Sequence, residues 1–232
     1  MKKFFLAAAV MFTATLAKAQ SVDDIVNRYM DSLGGKAAWA KVNSLVMEGA
    51  INIQGTDITV NRTVLNGKGM RLDIVAMGMN GYQIMTPTEG WSYMPFQGQT
   101  SKEAVPAEDV KESQEELDVT GSLFNYKEKG NTAELIGKED VEGTECFNIK
   151  LTTKGGKVSN YFIDTKNFFL VKRNGKIKAN GTEIETSTSY ANYQKLPEGI
   201  VVAMTITQQF GDMQISKVVV NGPVDEKIFK PE

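Results

Sequence analysis

The chain has 232 residues, a formal net charge of −2, no histidine and one cysteine, Cys146. Without histidine, the usual general base, the usual nucleophile pairs and nearly all transition-metal sites are excluded, so neither a metal nor a cofactor is expected. One cysteine cannot close an intrachain disulfide, and an acidic chain without a basic cluster is a poor partner for nucleic acid or anionic membrane.

Met1-Lys2-Lys3, the apolar run from Phe4 to Leu16 and the small-residue site Ala17-Lys18-Ala19 have the form of an export signal. The run is too short to span a bilayer as a stable helix. Cleavage is expected before Gln20, with no cysteine there to carry a lipid anchor. Loss of Lys2, Lys3 and Lys18 leaves 23 basic against 28 acidic side chains in a mature chain of 213 residues. That length suits one domain over residues 20–232, expected to be periplasmic and monomeric.

Ser21 to Leu33 reads as an amphipathic helix, with Val22, Ile25, Val26, Tyr29, Met30 and Leu33 at helical spacing. Ser21 and Asp24 make a capping box, and Gly34-Gly35 stops the helix. A second short helix, Lys36 to Lys41, carries Trp39. From Val42 the period becomes two. Leu45, Met47, Gly49, Ile51 and Ile53 share one face, then Ile58, Val60, Arg62 and Val64, then Met70, Leu72 and Ile74. Turns at Gly55, Asn66-Gly67, Gly78, Asn80-Gly81 and Pro87 to Gly90 carry this first meander to Trp91 and Phe96.

Residues 97–120 break the alternation. An acidic helix from Pro106 to about Leu117, anchored by Val110 and Leu117, predicts a loosely docked cover. A second meander follows from about Ala133, with strands near Leu135, 146–152, 158–163, 168–172, 183–193, 200–210 and 213–220. Turns are expected at Glu142-Gly143, Gly155-Gly156, Asp164 to Asn167, Asn174-Gly175, Asn180-Gly181, Pro197 to Gly199 and Gly211-Asp212. Eleven or twelve antiparallel strands in one sheet must curl, close or split. With so little helix, the expected fold is mainly β: an incomplete antiparallel barrel with a helical lid over an apolar cavity.

The cavity wall is assigned to Met47, Ile51, Ile58, Val60, Met70, Leu72, Ile74, Trp91 and Tyr93. Five of the eleven methionines, Met70, Met77, Met79, Met85 and Met94, fall within one 25-residue stretch. Flexible thioethers fill irregular cores and also suit surfaces that adapt to variable ligands. Arg62 lies on the same apolar face. It must reach a rim, a ligand oxygen or a lid carboxylate, for which Glu108 and Glu112 are candidates.

Five segments carry a family resemblance. Glu89 to Gly98, with Gly90, Trp91 and Pro95, resembles a strand of the periplasmic lipoprotein-carrier family, the LolA-like proteins. Gly137 to Gly143 and on to Leu151 is similar to that family's middle hairpin. Tyr161-Phe162-Ile163-Asp164, Phe168 to Arg173, and Val224 to Pro231 resemble its later strands and closing segment. Together they span nearly the whole mature chain. The resemblance implies an incomplete barrel under a helical lid. It also implies a soluble carrier taking acylated lipoprotein from an inner-membrane exporter to an outer-membrane receptor. The family's best-known members place an arginine beside a proline at the end of the second strand. Here Leu65-Asn66-Gly67-Lys68 has neither, and Arg62 is the nearest stand-in.

Three function classes compete. The first is a carrier of acylated lipoprotein or another lipid. The second is a structural or regulatory envelope protein whose cavity is filled by its own side chains. A hydrolase using carboxylates alone, such as Asp109 with Glu112 or Asp164 with a neighbour, ranks last. Those residues sit in a mobile-looking acidic stretch and in a turn, where aspartate serves local hydrogen bonds.

Overall fold

The computed structural model describes residues 20–53, 55–179, 182–209 and 211–231. The expected export signal and the Asn180-Gly181 turn lie outside the described residues. The first helix, α1 (Val22–Ser32), begins at the expected capping box: Ser21 Oγ accepts from the Asp24 amide, and Asp24 accepts from the Ser21 amide. Its apolar stripe is buried at Ile25, Val26, Tyr29 and Met30. Gly34 ends it with φ +102°, and a Cβ there would lie 2.2 Å from the Gly199 carbonyl oxygen. Glycine is required on both counts. A one-turn helix, α2 (Lys36–Trp39), follows, and Trp39 Nε1 donates to the Leu33 carbonyl at 2.8 Å.

The first meander contains β1 (Ser44–Ile53), β2 (Thr56–Leu65), β3 (Gly69–Ala76), β4 (Met79–Met85), β5 (Gly90–Tyr93) and the two-residue β6 (Glu103–Ala104). A short helix, α3 (Ala107–Glu112), runs into a 3-10 turn at Ser113–Leu117. The second meander contains β7 (Thr132–Val141), β8 (Thr144–Thr152), β9 (Val158–Asp164), β10 (Leu170–Ala179), β11 (Thr182–Lys195), β12 (Val201–Gln208) and β13 (Gly211–Val220). Among the described residues all thirteen strands belong to one sheet, in the order β6-β5-β4-β3-β2-β1-β13-β12-β11-β10-β9-β8-β7. Every neighbouring pair is antiparallel, and β1 pairing with β13 welds the two meanders together. The sheet ends on β6 at one edge and β7 at the other, so the barrel is incomplete. No helix among the described residues is long and apolar enough to cross a membrane.

The expected turn at Asn174-Gly175 does not form. Both residues lie within β10, paired to β9 on one side and β11 on the other. Two rows of ladder hydrogen bonds outweigh a local turn preference. The segment between Leu117 and β7 is irregular yet buries Leu123, Phe124 and Tyr126. Its aperiodic sequence gives no strand or helix signal.

The convex side is closed in patches. Phe229, in the closing 3-10 turn Glu226–Phe229, packs with Tyr82 and Ile84 over β4. A Cβ at Gly69 would lie 2.6 Å from the Phe229 ring, so the ring needs that glycine beneath it. Cys146 is buried with Val141, Phe162 and Val171 on the same side. Burial, reinforced by Asp164, pushes its thiol up to about 11, so it stays a neutral small hydrophobe at ordinary pH. Truncating the tail anchor should be expensive. Phe229→Ala is expected to lower unfolding free energy by about 3 kcal/mol. A urea titration measures this, and an unchanged midpoint would mean the tail is not part of the core.

Candidate functional site

Strand register assigns the faces. Leu45, Met47, Gly49 and Ile51 of β1 stand opposite Val64, Arg62, Val60 and Ile58 of β2. Those β2 residues after Ile58 pair with Ile74, Leu72 and Met70 of β3, and Met70 pairs with Met85 of β4. Because paired residues share a side, these residues form one continuous concave wall. On the other flank of β1, Val220, Val218 and Met213 of β13 continue it, and Met213 leads to Ile206 of β12.

The wall is filled from two directions. Over the second meander, α1 and α2 bury Ile25, Val26, Tyr29, Met30 and Trp39 against Phe147, Ile149, Leu151, Ile163 and Val202. Over the first, Val110 and Leu117 of the cover segment pack on Val64, Met70 and Met85. Burying those two side chains contributes about 1.5–3 kcal/mol each. Both anchors named from sequence are therefore buried in the cover's contact with the wall.

Between the two filled regions the wall is only partly covered. Met47, Ile51, Ile58, Leu72, Ile74, Ile206 and Met213 face inward and stay half-exposed. Ile51, Ile58, Ile74, Ile206 and Met213 belong to neither packed cluster. An inward apolar strip left open in this way is the chief candidate for a binding surface.

Of the residues assigned to the cavity from sequence, Met47, Ile51, Ile58, Val60, Arg62, Met70, Leu72 and Ile74 share this concave side. Trp91 and Tyr93 do not. They pair with Ile84 and Tyr82, on the convex side under the Phe229 tail. Gly90 and Ser92 of β5 turn inward instead. The Pro87–Gly90 turn sets the phase of this short strand, and its sequence lacks the alternation that would reveal it.

Arg62 reaches the cover. Its Nη2 donates to the Glu116 carbonyl oxygen at 3.1 Å. The expected partners, the carboxylates of Glu108 and Glu112, give way to the main chain of the 3-10 turn. The turn Ser113–Leu117 is the part of the cover that meets Arg62 of β2. Burial depresses the Arg62 guanidinium below its ordinary value, with Glu116 opposing. Three more contacts tie the cover down. The Gly67 amide donates to the Leu117 carbonyl at 2.8 Å. Gln114 Nε2 donates to the Thr86 carbonyl at 3.2 Å. Ser122 Oγ donates to Glu115 Oε2 at 2.6 Å. The cover is fixed by polar contacts as well as by its two apolar anchors, which is firmer than its composition predicts.

Sequence reading missed a second arginine. Arg173 of β10 pairs with Tyr161 of β9 and faces inward. Its Nη2 lies 3.9 Å from Glu115 Oε2 and 3.4 Å from Ser159 Oγ, and its guanidinium sits 5.5 Å from the Tyr161 ring centroid. Burial works to lower its pKa, but Tyr161, Tyr190 and the Glu115 and Glu116 carboxylates outweigh it, and the net shift is upward. A register shift between Leu170 and Lys172 hides Arg173 from period-two counting. Without that bulge Lys172 would point inward instead.

A separate hollow of about 380 Å³ opens between α2 and residues 118–129, lined by Trp39, Asn43, Asn66 and Asn125. Its two cations are engaged, Lys36 with Glu128 and Lys129 with Asp118. Among the described residues, no group of three or more His, Cys, Asp or Glu side chains is placed to hold a metal.

Comparison with solved structures fits this architecture. The fold is LolA-like. A LolA superfamily protein from Nitrosomonas europaea matches with TM-score 0.53 at 14% identity, over 89% of this chain and 96% of that one. A DUF1329 family protein from Desulfovibrio piger matches with TM-score 0.55 at 12% identity, over 91% and 98%. A putative outer membrane lipoprotein-sorting protein domain from Vibrio parahaemolyticus matches with TM-score 0.50 at 16% identity, over 88% and 95%. No family model and no curated protein matches the sequence.

The Arg62 contact makes a direct prediction about the cover. Arg62→Leu removes one charge-assisted hydrogen bond while keeping an apolar side chain on the wall. Amides of residues 113–118 should exchange with deuterium about tenfold faster, with strand amides unchanged. Equal exchange rates in both proteins would show that Arg62 does not hold the cover.

Proposed function

We propose that this protein is an exported, periplasmic carrier that binds the acyl chains of lipoproteins or another lipid and transfers them toward the outer membrane. On this reading residues 20–232 act as one domain and one copy. It is a binding and transfer protein, not an enzyme. An inner-membrane exporter would load it and an outer-membrane receptor would unload it, as in the family it resembles. The observation that carries the proposal is the open strip of Met47, Ile51, Ile58, Leu72, Ile74, Ile206 and Met213 beside a tethered cover.

The physical case is simple. A half-exposed apolar wall inside a curled sheet gains by taking an apolar guest, at about 0.8 kcal/mol per methylene. A chain of about ten methylenes then offers on the order of 8 kcal/mol before the cost of ordering it. The cover is short, so lifting it breaks a few hydrogen bonds and two apolar anchors but no strand pairing. Arg62 is expected to act at that step, holding the cover shut until a guest displaces it. The name of the Vibrio parahaemolyticus domain supports a role in lipoprotein sorting, which would come to this chain through the shared fold.

A fluorescent fatty-acyl probe tests the reading. The wild-type protein should take it up with an emission rise. Leu72→Glu places a charge in the middle of the strip and should abolish uptake while the β-sheet signal in circular dichroism persists. A folded Leu72→Glu protein with unchanged probe affinity would refute the assigned wall. A wild-type protein that ignores the probe would favour the self-filled envelope protein instead.

A further inference from the structure

Two guanidinium groups lie beneath the cover, and the carboxylates that act on them belong to the cover itself. Arg62 rises from β2 and Arg173 from β10, five strands apart in the sheet, yet both reach the same 3-10 turn. Tyr190 of β11 lies within electrostatic reach of both guanidinium groups. The curl of the sheet therefore brings two fixed positive charges to one place on an otherwise apolar wall.

Their present partners are modest. Arg62 has a neutral main-chain carbonyl, and the Glu116 side chain is exposed. Arg173 has the Glu115 carboxylate at a long 3.9 Å, and that carboxylate also accepts from Ser122. Arg173 keeps 33% of its side chain exposed. Phenol and hydroxyl groups of Tyr161, Tyr190 and Ser159 surround it and add donors without adding negative charge at neutral pH. Burial pushes the Tyr161 phenol up to about 12, so it stays protonated. The half-buried Glu115 and the solvent-exposed Glu116 are thus the carboxylates that act on the two guanidinium groups. Arginine in such a setting favours an oxygen-rich anion, which accepts several N–H donors at once.

We infer that Arg62 and Arg173 form a headgroup site for an anionic amphiphile, a carboxylate or phosphate at the end of an acyl chain, whose place Glu115 holds while the cover is shut. This deepens the carrier reading and rests on it. The acyl chain would lie along the Met47–Ile58–Leu72 strip, and the anionic end would displace Glu115 from Arg173. Loss of that contact, together with competition for Arg62, would loosen the turn that spans the opening. Loading and cover release are then the same event, driven by exchange of one carboxylate for another anion.

The experiment compares two probes of one chain, cis-parinaric acid and its methyl ester, by fluorescence titration of the full protein at neutral pH. The acid should bind about tenfold tighter than the ester, the size of one charge-assisted hydrogen bond. Arg173→Gln should remove the preference, so that acid and ester bind with equal affinity. Glu115→Gln should tighten the acid several-fold by removing its competitor. If Arg173→Gln fails to fold, the wild-type acid–ester ratio and Glu115→Gln still decide. Equal affinity for acid and ester in the wild type would overturn the headgroup site while leaving acyl binding intact. Binding of neither probe would overturn the carrier reading itself. Dodecyl phosphate should displace the acid and inorganic phosphate should not. Displacement by both at equal concentration would assign the arginines to a free anion and overturn the amphiphile.

Discussion

The inner face of a thirteen-strand antiparallel sheet is more apolar surface than helices of eleven, four and six residues can cover. Everything else in the molecule follows from that shortage. The sheet curls, because a long twisted sheet with one apolar face buries more of it by wrapping on itself. Helices α1 and α2 bury their apolar stripe in a cluster drawn mainly from the second meander, with Leu45 and Met47 of β1 at its margin. The irregular Leu123, Phe124 and Tyr126 segment fills the space beside them. The acidic cover has two apolar anchors, enough for Val64, Met70 and Met85 and no further. The remaining strip stays open toward the interior.

Much of this is legible in the sequence. Alternation from Leu45 to Ile74 is regular enough to place every inward residue of β1, β2 and β3 on one side. The capping box at Ser21, the glycine stop at Gly34 and the two cover anchors also appear where local chemistry puts them. What escapes reading is decided by long-range pairing. The inward turn of Arg173 depends on a one-residue bulge. The face of Trp91 and Tyr93 is set by the Pro87–Gly90 turn and by the tail residue Phe229, more than 130 positions away in the chain. Leu123, Phe124 and Tyr126 are buried without any period to announce them. Asn174-Gly175 reads as a turn but is held straight by partners on both sides.

The polar interior has the same origin. Arg62 and Arg173 give the cover a polar hold beside its two apolar anchors. Their separation in the sheet means that only the curled arrangement brings them together, so the fold and the latch form in one step. Leu65-Asn66-Gly67-Lys68 at the end of β2 holds neither arginine nor proline, and the two cations come from within β2 and β10.

The central claim is that the concave strip, and not the convex surface, receives an acyl chain. Methyl-labelled Ile, Leu and Val residues with a spin-labelled stearate carrying its nitroxide near the chain end test it most directly. The account predicts selective broadening of the Ile51, Ile58, Leu72 and Ile74 methyl signals, with the exposed Ile136 and Val158 unaffected. Broadening confined to Ile136 and Val158, or no broadening at all with the stearate in excess, would contradict it.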